Sequence, residues 1–275
     1  MPELPETETI ARDLDRAVRG AVIDEVTVAR PDVLRGVSAR TLATRLHGAT
    51  IERCWRRAKL VVVELSTADR IVVQPRFTGA LLVDDGPLGD ETRDYTAIEL
   101  SLRDGRALRY RDVRRLGTVS LMNPARFAAY SGGLGPEPLD PGFTATHLSG
   151  LLRGSRQAVK KAIMDQRRLA GIGNIYANEA LWRARVDPSR EARSLREPEI
   201  AALHTAIVEV LTEAIAARGT TFRDFRDAYG GRGGFAGSLS VYGRSGETCP
   251  RCDSRLVTTH AIDGRATVLC IRCQS

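Results

Sequence analysis

The first eight residues, MPELPETE, combine two prolines with three acidic side chains in an arrangement that could carry out covalent chemistry. Once the start methionine is removed, Pro2 has a free secondary amine. An α-amine has a lower pKa than a lysine amine, so more of it is neutral near physiological pH. Attack of this amine on an electrophilic carbon such as the anomeric carbon of a sugar gives an iminium ion, whose charge can drive departure of a leaving group and acidify the neighbouring C–H for elimination. Glu3 is placed to donate and accept protons, and Glu6 could stabilise the cation.

The same stretch also has a structural interpretation. Proline is favoured in the first turn of a helix, and acidic residues near a helix N-terminus are favoured by the helix dipole. Ile10, Leu14 and Val18 recur every fourth position, which predicts an amphipathic helix over residues 3–18. The stretch by itself leaves both interpretations open.

Four of the five cysteines form two Cys-x-x-Cys pairs with 17 residues between them, CPRC and CIRC. This is the spacing of a zinc ribbon, in which four thiolates hold a tetrahedral ion and leave no position for a substrate. We therefore predict one structural Zn²⁺, whose binding supplies folding free energy to a short segment. The predicted ligands are Cys249, Cys252, Cys270 and Cys273. The fifth cysteine, Cys54, is predicted to be a small buried hydrophobe.

Basic side chains are grouped in four places, each at a predicted turn or helix start. They lie at RCWRRAK (53–59), RYRDVRR (109–115), RGSRQAVKK (153–161) and Arg265. Each group alone is typical of a solvated face, but the four together favour a track for nucleic-acid phosphates. Lys59 stands where a basic turn enters an apolar strand. Arg114 and Leu116 share a turn, and a long cation beside an apolar wedge suits entry into a base stack.

The composition narrows the class of protein. The chain has 275 residues, is 43% hydrophobic and carries a net charge of +7, which suits an anionic partner. Aromatic residues make up 5%, so stacking platforms for single strands are not evident and duplex binding fits better. The acidic N-terminus has no apolar run, and no stretch approaches the roughly 20 apolar residues of a membrane span. We expect a cytoplasmic protein without a disulfide framework.

The elements that position these residues change in character along the chain. Short runs rich in β-branched residues over about 21–122 predict an antiparallel sandwich or barrel; they are KLVVVEL, RIVVQP, GALLVDD, TAIELSL and GTVSLM. Beyond a Gly- and Pro-rich boundary, helices are predicted over 156–165, from an N-cap at Asn174, and over 198–217. The segment 229–244 lacks the ending of a phosphate-binding P-loop and is either a flexible linker or a loop that closes over a ligand. The dipeptide Asp-Gly at 263–264 predicts a β-hairpin turn with Arg265 just past its tip.

Seven motifs follow one another along essentially the whole chain. They are PELPE (2–6), RRAK (56–59), LGPEPL (134–139), MDQRRLAGIGNIYANEALWRARVDP (164–188), RGTT (218–221), VYGRSGETC (241–249) and GRATVLCIRCQ (264–274). In this order they resemble the formamidopyrimidine-DNA glycosylase branch of the Fpg/Nei family. The resemblance implies an α+β fold: an N-terminal β-sandwich with a flanking helix, then a helix–two-turns–helix domain with a four-cysteine zinc finger.

The resemblance also implies an activity and a division of the chain. The activity is that of a bifunctional DNA glycosylase and AP lyase of base excision repair, which removes 8-oxoguanine and formamidopyrimidines from duplex DNA through a Schiff base and cleaves the strand by β,δ-elimination. The implied enzyme is a bacterial monomer that acts on damaged double-stranded DNA, with no membrane partner, in the cytoplasm and at the nucleoid. The implied segments are a catalytic sandwich (1–130), a hinge (131–148), the helix–two-turns–helix domain (149–228), a Gly-rich lesion-capping loop (229–244) and the zinc-finger hairpin (245–275).

Residue by residue, the resemblance implies specific roles. Pro2 matches the Schiff-base nucleophile, Glu3 the acid for glycosidic cleavage, Lys59 the lysine of β-elimination and Arg265 the arginine of δ-elimination. To these catalytic positions we add Glu6 as the group that stabilises the cationic intermediate. The implied DNA contacts are Arg93, Arg114, Arg156, Lys160 and Asn174. The implied void-filling residues, which occupy the space left by an extruded base, are Phe77, Arg114 and Leu116.

The sequence departs from the family pattern where the DNA stack would be entered. Gln74 replaces a usual histidine, Phe77 a methionine, Leu116 a phenylalanine, and Gly234 stands where a tyrosine is often found. We interpret the replacements at Phe77 and Leu116 together: the bulky aromatic wedge has moved from the turn of Leu116 to that of Phe77. These changes concern lesion preference and leave the lyase residues in place.

Two other functions remain open. One is an oxidised-pyrimidine glycosylase of the same family, against which the PELPE opening argues, because that branch more often begins PEGPE. The other is a zinc-ribbon DNA-binding protein without catalysis. It accounts for the basic groups and the cysteines but gives no reason for Pro2, Glu3 and Lys59 to occur together.

Overall fold

The computed structural model describes residues 2–84 and 94–275, which form two compact units. The first unit comprises Met1–Gly132 and Ala217–Gly234, and the second comprises Gly133–Ala216 and Phe235–Ser275. The chain therefore leaves the first unit and later returns to it. Over the two described stretches, none of the helices has both the length and the apolar character that crossing a bilayer requires.

The first unit is built on two four-stranded antiparallel sheets, in the orders β1-β6-β7-β5 and β2-β3-β4-β8. The strands are β1 (Ile23–Val28), β2 (Ile51–Arg57), β3 (Leu60–Leu65), β4 (Arg70–Gln74), β5 (Gly79–Asp84), β6 (Thr96–Leu102), β7 (Ala107–Asp112) and β8 (Thr118–Met122). The apolar runs at β3, β4, β5, β6 and β8 are confirmed as strands. The strands β1, β2 and β7 were not identified from the sequence, because charged residues interrupt their apolar pattern.

Within the described part of the first unit, three α-helices flank these sheets: α1 (Leu4–Val18), α2 (Ala39–Leu46) and α3 (Pro124–Gly132). The predicted apolar stripe of α1, formed by Ile10, Leu14 and Val18, is buried in the hydrophobic core of the sandwich. Cys54 belongs to the same core, so its predicted burial is confirmed. Burying these side chains is the main favourable contribution to the stability of this unit, at about 25 cal/mol per Å² of apolar surface.

The second unit is helical, with α4 (Ala145–Leu152), α5 (Val159–Met164), α6 (Asn174–Arg183) and α7 (Glu197–Ala216). The predicted helix over 198–217 is confirmed to within one residue. The predicted helix over 156–165 is shorter, because the backbone becomes helical only at Val159. The prediction of Asn174 as an N-cap is wrong: Gly173 occupies that position in an extended conformation, and Asn174 is the first helical residue.

A β-hairpin of β9 (Val257–Thr259) and β10 (Thr267–Leu269) ends the second unit, and its strands pair antiparallel. The predicted hairpin is confirmed, but its strands are joined by the longer connection 260–266, in which Gly264 adopts φ +75°, where a side chain would be strained. The backbone N–H of Arg265 donates to Asp263 Oδ1 at 3.1 Å, which fixes the residue after the tip. The α+β class, with a sandwich, a helical region and a four-cysteine hairpin, is thus confirmed.

Candidate functional site

The first turn of α1 is a buried cluster of the residues singled out in the sequence. Pro2 is buried, Glu3 is 2% exposed at the N-cap, and Glu6 is 1% exposed. The backbone N–H of Glu3 donates to Glu6 Oε2 at 2.8 Å, as in a capping box. The structural interpretation of the opening residues is therefore correct. The capping box also holds the side chains of Glu3 and Glu6 in one fixed place.

Glu6 joins the start of the chain to the RGTT motif. Its second oxygen, Oε1, accepts a hydrogen bond from the backbone N–H of Thr220 at 2.7 Å. Gly219 makes this approach possible, since it adopts φ +83° and a Cβ there would lie 3.0 Å from Glu6 Oε1. The two carboxylate oxygens of Glu6 are thereby committed to two backbone N–H groups, one on each segment.

Lys59 is held against the same helix by a tight turn. Arg57 pairs with Leu60, so Ala58 and Lys59 form the two-residue connection between β2 and β3, with Ala58 at φ +52°. The hydroxyl of Thr7 lies 2.8 Å from the carbonyl oxygen of Glu3 and 3.4 Å from that of Ala58. The Lys59 turn and the first turn of α1 therefore contact one side chain, and Lys59 itself is only 9% exposed.

An ion-pair network that sequence analysis missed anchors the returning segment to α1. Arg218 Nη2 lies 2.6 Å from Asp13 Oδ2 and 2.6 Å from Asp227 Oδ2, and both carboxylates are buried. Hydrogen bonds with Asp13 and then Asp227 raise the pKa of Arg218. Burial raises the pKa of Asp227, but hydrogen bonds from Arg218 and from the N–H groups of Gly231 and Tyr229 bring it below its ordinary value. The sequence pointed to this network through two features, acidic Asp13 within the apolar stretch of α1 and Arg218 at the start of the RGTT motif.

The predicted void-filling residues lie on two neighbouring turns of the first unit. Phe77 is 42% and Leu116 40% exposed, which is high for large apolar side chains. The guanidinium carbon of Arg114 lies 5.1 Å from the centre of the Phe77 ring, within the range of a cation–π contact. Gln74 is the last residue of β4 and pairs with Thr118 of β8. The turn that contains Phe77 therefore begins directly after a paired strand residue.

A cavity of about 320 Å³ opens beside these turns, within the size range of small-molecule sites. Its lining combines the outer face of β5 and β7 with the returning segment: Thr78, Ala80, Leu82, Arg111, Val113, Arg223, Asp224, Arg226 and Gly230. The N–H of Val83 donates to the carbonyl of Ala228 at 2.9 Å, which attaches that segment to the edge strand β5. Of the predicted capping loop 229–244, only Gly230 lines this cavity. The predicted DNA contact Arg93 lies outside the described residues.

Several residues of the basic groups face inward. Arg56 donates to Glu8 Oε2 at 2.8 Å, and Arg57 donates to Ser131 Oγ at 3.0 Å. Arg109 is buried and bonded to Asp84 and Glu99. These arginines hold the sandwich together, so a surface for phosphate on this unit is left to exposed residues such as Arg114.

In the second unit, two predicted DNA-backbone residues contact the hairpin just after Arg265. Lys160 is 0% exposed, and its Nζ lies 2.7 Å from Thr267 Oγ1 and 3.4 Å from the carbonyl oxygen of Ala266. Asn174 donates through Nδ2 to the same carbonyl at 3.1 Å. This bond explains why Asn174 does not cap its helix: its amide is used on the hairpin. Arg156 and Arg265 are both exposed.

The four predicted metal ligands form one cluster. The Sγ atoms of Cys249, Cys252, Cys270 and Cys273 all lie within 4.8 Å of one another. Two pairs are separated by 4.0 Å and 3.4 Å. A tetrahedral ion with zinc–sulfur bonds of about 2.3 Å requires sulfurs about 3.8 Å apart. The donor set and its spacing therefore fit a tetrahedral metal ion.

Buried residues of α6 contact the segments that carry the four cysteines. Glu179, fully buried, accepts hydrogen bonds from the backbone N–H groups of Ser240, Val241 and Tyr242 at 2.8–2.9 Å. The Arg251 guanidinium lies 4.1 Å from the Trp182 ring centre and donates to the Trp182 carbonyl at 2.9 Å. Sequence analysis missed Glu179. The feature that could have indicated it was a charged residue within a mostly apolar part of the helix.

Comparison with known proteins gives a consistent result. The family model "Formamidopyrimidine-DNA glycosylase N-terminal domain" matches residues 1–119, and "Formamidopyrimidine-DNA glycosylase H2TH domain" matches residues 134–226. The formamidopyrimidine-DNA glycosylase of Desulfitobacterium hafniense is 39% identical over 276 residues, with 100% of both chains covered. That of Moorella thermoacetica is 43% identical over 260 residues, with 93% of each covered.

Similar solved structures come from the same family as these relatives. The MutM (Fpg) protein of Thermus thermophilus superposes with a TM-score of 0.87 at 35% identity, covering 99% of this chain and 98% of the other. Wild-type Lactococcus lactis Fpg (MutM), in complex with DNA containing N7-benzyl-Fapy-dG, gives a TM-score of 0.91 at 31% identity with 100% of both chains covered.

Proposed function

The chain belongs to the formamidopyrimidine-DNA glycosylase family, and on this premise we propose that it excises oxidised purines from duplex DNA in base excision repair. It is a DNA glycosylase with the AP lyase activity characteristic of this family, and damaged double-stranded DNA is its partner. The observation that carries the assignment of its chemistry is the cluster of Pro2, Glu3, Glu6 and Lys59 around the first turn of α1.

Pro2 is the nucleophile once Met1 has been removed. Its nitrogen forms a bond to C1′ of the damaged nucleoside, and the bond from C1′ to the base breaks with its electron pair leaving on the base. Glu3 supplies a proton for this step, and its carboxylate can then accept one. Opening of the sugar ring leaves an iminium ion between Pro2 and C1′.

The iminium ion makes the C2′ proton acidic, so elimination can break the strand on both sides of the sugar. We assign the β-elimination step and a phosphate contact to Lys59, and the δ-elimination step to Arg265. Glu6 stabilises the cationic intermediate and, through Glu3 N–H, holds the residue that moves protons. Its bond to Thr220 supports this assignment, because it fixes the carboxylate from the other side.

A base inside a duplex hides its anomeric carbon, so the damaged nucleotide must leave the stack. Phe77, Arg114 and Leu116 then fill the space it leaves, and their exposure supports this role. The cavity of about 320 Å³ beside them is a candidate pocket for the extruded base. We retain 229–244 as the capping loop, between the helix–two-turns–helix domain (149–228) and the zinc finger (245–275).

DNA-backbone contacts are assigned to Arg93, Arg156, Lys160 and Asn174. Lys160 and Asn174 both bond to the carbonyl of Ala266, so their charge and amide lie under the strand that follows Arg265. The enclosed ammonium of Lys160 also lies 3.9 Å from Asp263 Oδ1, and it supports DNA binding by holding the hairpin around Arg265 in place. We infer that the metal ion is zinc in a structural role: the thiolates of Cys249, Cys252, Cys270 and Cys273 would hold it, and its binding would supply folding free energy to the hairpin. We place the enzyme in the bacterial cytoplasm, at the nucleoid when it works.

Borohydride trapping tests the function. The reductant converts an iminium ion into a stable protein–DNA adduct. Four duplexes are compared, carrying 8-oxoguanine, an oxidised pyrimidine, an abasic site or no lesion. We expect an adduct on 8-oxoguanine that mass spectrometry maps to residue 2. Adducts on the oxidised pyrimidine and not on 8-oxoguanine would favour the pyrimidine branch, and no adduct on any duplex would favour the non-catalytic alternative.

Matched variants give the control. Pro2→Leu retains Met1 because the larger side chain blocks its removal, so trapping should be lost while DNA binding persists. Pro5→Ala alters the neighbouring proline in the same turn and leaves the amine intact, so trapping should persist. Undiminished trapping by Pro2→Leu through another amine would refute the assignment.

A further inference from the structure

The two turns that carry the void-filling residues share one buried carboxylate. Asp112, the last residue of β7, is 1% exposed. Its Oδ1 accepts a hydrogen bond from the Thr78 hydroxyl at 2.5 Å, and its Oδ2 accepts from the Gly117 N–H at 2.8 Å and from the Tyr110 hydroxyl at 3.1 Å. Three donors therefore converge on Asp112, one from the turn after β4, one from the turn after β7 and one from β7 itself.

Thr78 completes the link between the turns. Its hydroxyl oxygen donates to Asp112 and at the same time accepts a hydrogen bond from the backbone N–H of Arg114 at 3.0 Å. The residue beside Phe77 is thus bonded directly to the backbone of Arg114. The side chains of Phe77 and Arg114 lie in contact just outside this bond.

The surroundings leave this arrangement little freedom. A Cβ at Gly117 would lie 1.9 Å from the Tyr110 hydroxyl oxygen, so the turn can approach only because residue 117 is glycine. Burial raises the pKa of Tyr110, and the negative charge of Asp112 adds to the effect, so the hydroxyl remains a donor. Arg76, Arg111 and Arg115 are the other charged residues of these two turns and the end of β7.

We propose that Thr78 and Asp112 are positioning residues, which act through Phe77 and Arg114 and hold them as one stacked group before DNA arrives. A cation–π contact at an exposed site is weak by itself, whereas a buried carboxylate with three donors is a strong constraint. A preformed group loses less conformational entropy when it enters the stack. The inference rests on the proposed void-filling role and adds what holds the group in place.

The test compares Thr78→Val, which removes the hydroxyl at nearly constant shape, with Thr78→Ser, which keeps it. Single-turnover excision of 8-oxoguanine is measured beside cleavage at a preformed abasic site. We expect Thr78→Val to slow excision about tenfold, the effect of one lost hydrogen bond to a charged group. Cleavage at the abasic site should fall much less, because no base has to be extruded. Thr78→Ser should restore excision, and Thr78→Ala repeats the test if valine disturbs folding.

A double-mutant cycle with Phe77→Ala identifies the route of action. If Thr78 acts through Phe77, Thr78→Val should slow excision little further in the Phe77→Ala background. A full additional loss there would mean that Thr78 contacts the base directly and would overturn the proposal. So would unchanged excision by Thr78→Val, or an equal loss in both reactions. Failure of the parent enzyme to cleave the abasic site would instead contradict the proposed function.

Discussion

The carboxylate of Glu6 accepts a hydrogen bond from the backbone N–H of Thr220 at 2.7 Å, although 214 positions of sequence separate the two residues. The other oxygen of the same carboxylate holds the N–H of Glu3 at 2.8 Å. One buried side chain therefore connects the proposed nucleophile and acid to the segment that returns to the first unit at Ala217. Displacement of either segment would break a bond to the other.

Glu6→Gln should reduce both stability and catalysis. An amide has one oxygen to accept hydrogen bonds, so one of the two backbone N–H groups is left facing an NH₂ group. An unsatisfied buried donor costs about 1–3 kcal/mol. We expect a lower melting temperature and at least a tenfold slower trapping reaction. Glu8→Gln is the matched control, because Glu8 pairs with Arg12 and Arg56 outside the cluster. Equal trapping rates for the two variants would argue against the role of Glu6.

Arg218→Met should destabilise the first unit, most strongly near neutral pH. The variant leaves the buried carboxylates of Asp13 and Asp227 without their cation. Breaking a fully buried pair costs about 3–5 kcal/mol. Because Arg218 is partly exposed, we expect about 1–3 kcal/mol in urea unfolding at neutral pH.

The pH dependence of that effect follows from the lowered pKa of Asp227. The stabilisation from this carboxylate is fully present above its unfolded pKa of about 3.9 and is lost as pH falls through the lower folded pKa. Removing Arg218 raises the folded pKa of Asp227, so the variant has less of this stabilisation to lose, and its deficit relative to the parent should shrink as pH falls below about 3.9. Arg16→Met, at an exposed position on α1, is the control and should leave the acid transition unchanged.

Chelation of the metal ion should unfold the hairpin and weaken DNA binding, because Arg265 lies just past its tip. Titration with a thiol reagent at pH 8 should then report four reactive thiols, from Cys249, Cys252, Cys270 and Cys273. DNA affinity measured before and after chelation provides the functional readout. Unchanged affinity in fully demetallated protein would contradict the assigned role of the zinc finger.

Cys54 should not react in the folded protein, whether or not metal is bound. Burial, followed by the nearby charge of Asp15, raises the pKa of its thiol to about 12. The thiol is therefore protonated and inaccessible at pH 8, and a fifth thiol should react only in denaturant. Since the folded pKa lies above the unfolded one of about 8.5, the stability from the neutral thiol is present below that value and is lost as pH rises through about 12.

Exchanging the wedge between the turns tests whether Phe77 replaces a bulky group on the other turn. Phe77→Ala alone should slow 8-oxoguanine excision, because the smaller Leu116 is then the one apolar void-filling residue left beside Arg114. The double variant Phe77→Met with Leu116→Phe restores the usual family arrangement and should recover most of the excision rate. A double variant as slow as Phe77→Ala would show that the turns of this protein accept the bulky group only at residue 77.

Local patterns in the sequence determined the elements that do not depend on distant contacts. The 3.6-residue period of Ile10, Leu14 and Val18 identified α1, and the spacing of the cysteine pairs identified the four-cysteine cluster. The Asp-Gly pair identified the hairpin tip, since the turn needs a residue with positive φ. The ordered motifs identified the family and, from it, the class of reaction. In each case the physical constraint acts over a few neighbouring residues or within one short segment.

The tertiary structure alone decided which polar groups meet. The contacts of Glu6 with Thr220 and of Arg218 with Asp13 span more than 200 positions, so no local period announces them. Asn174 had the residue type of an N-cap, yet its amide binds the carbonyl of Ala266 instead. A buried hydrogen-bonding group takes whichever partner packing brings near, because leaving it unsatisfied is costly. That choice is made by the folded chain as a whole and not by any one local segment.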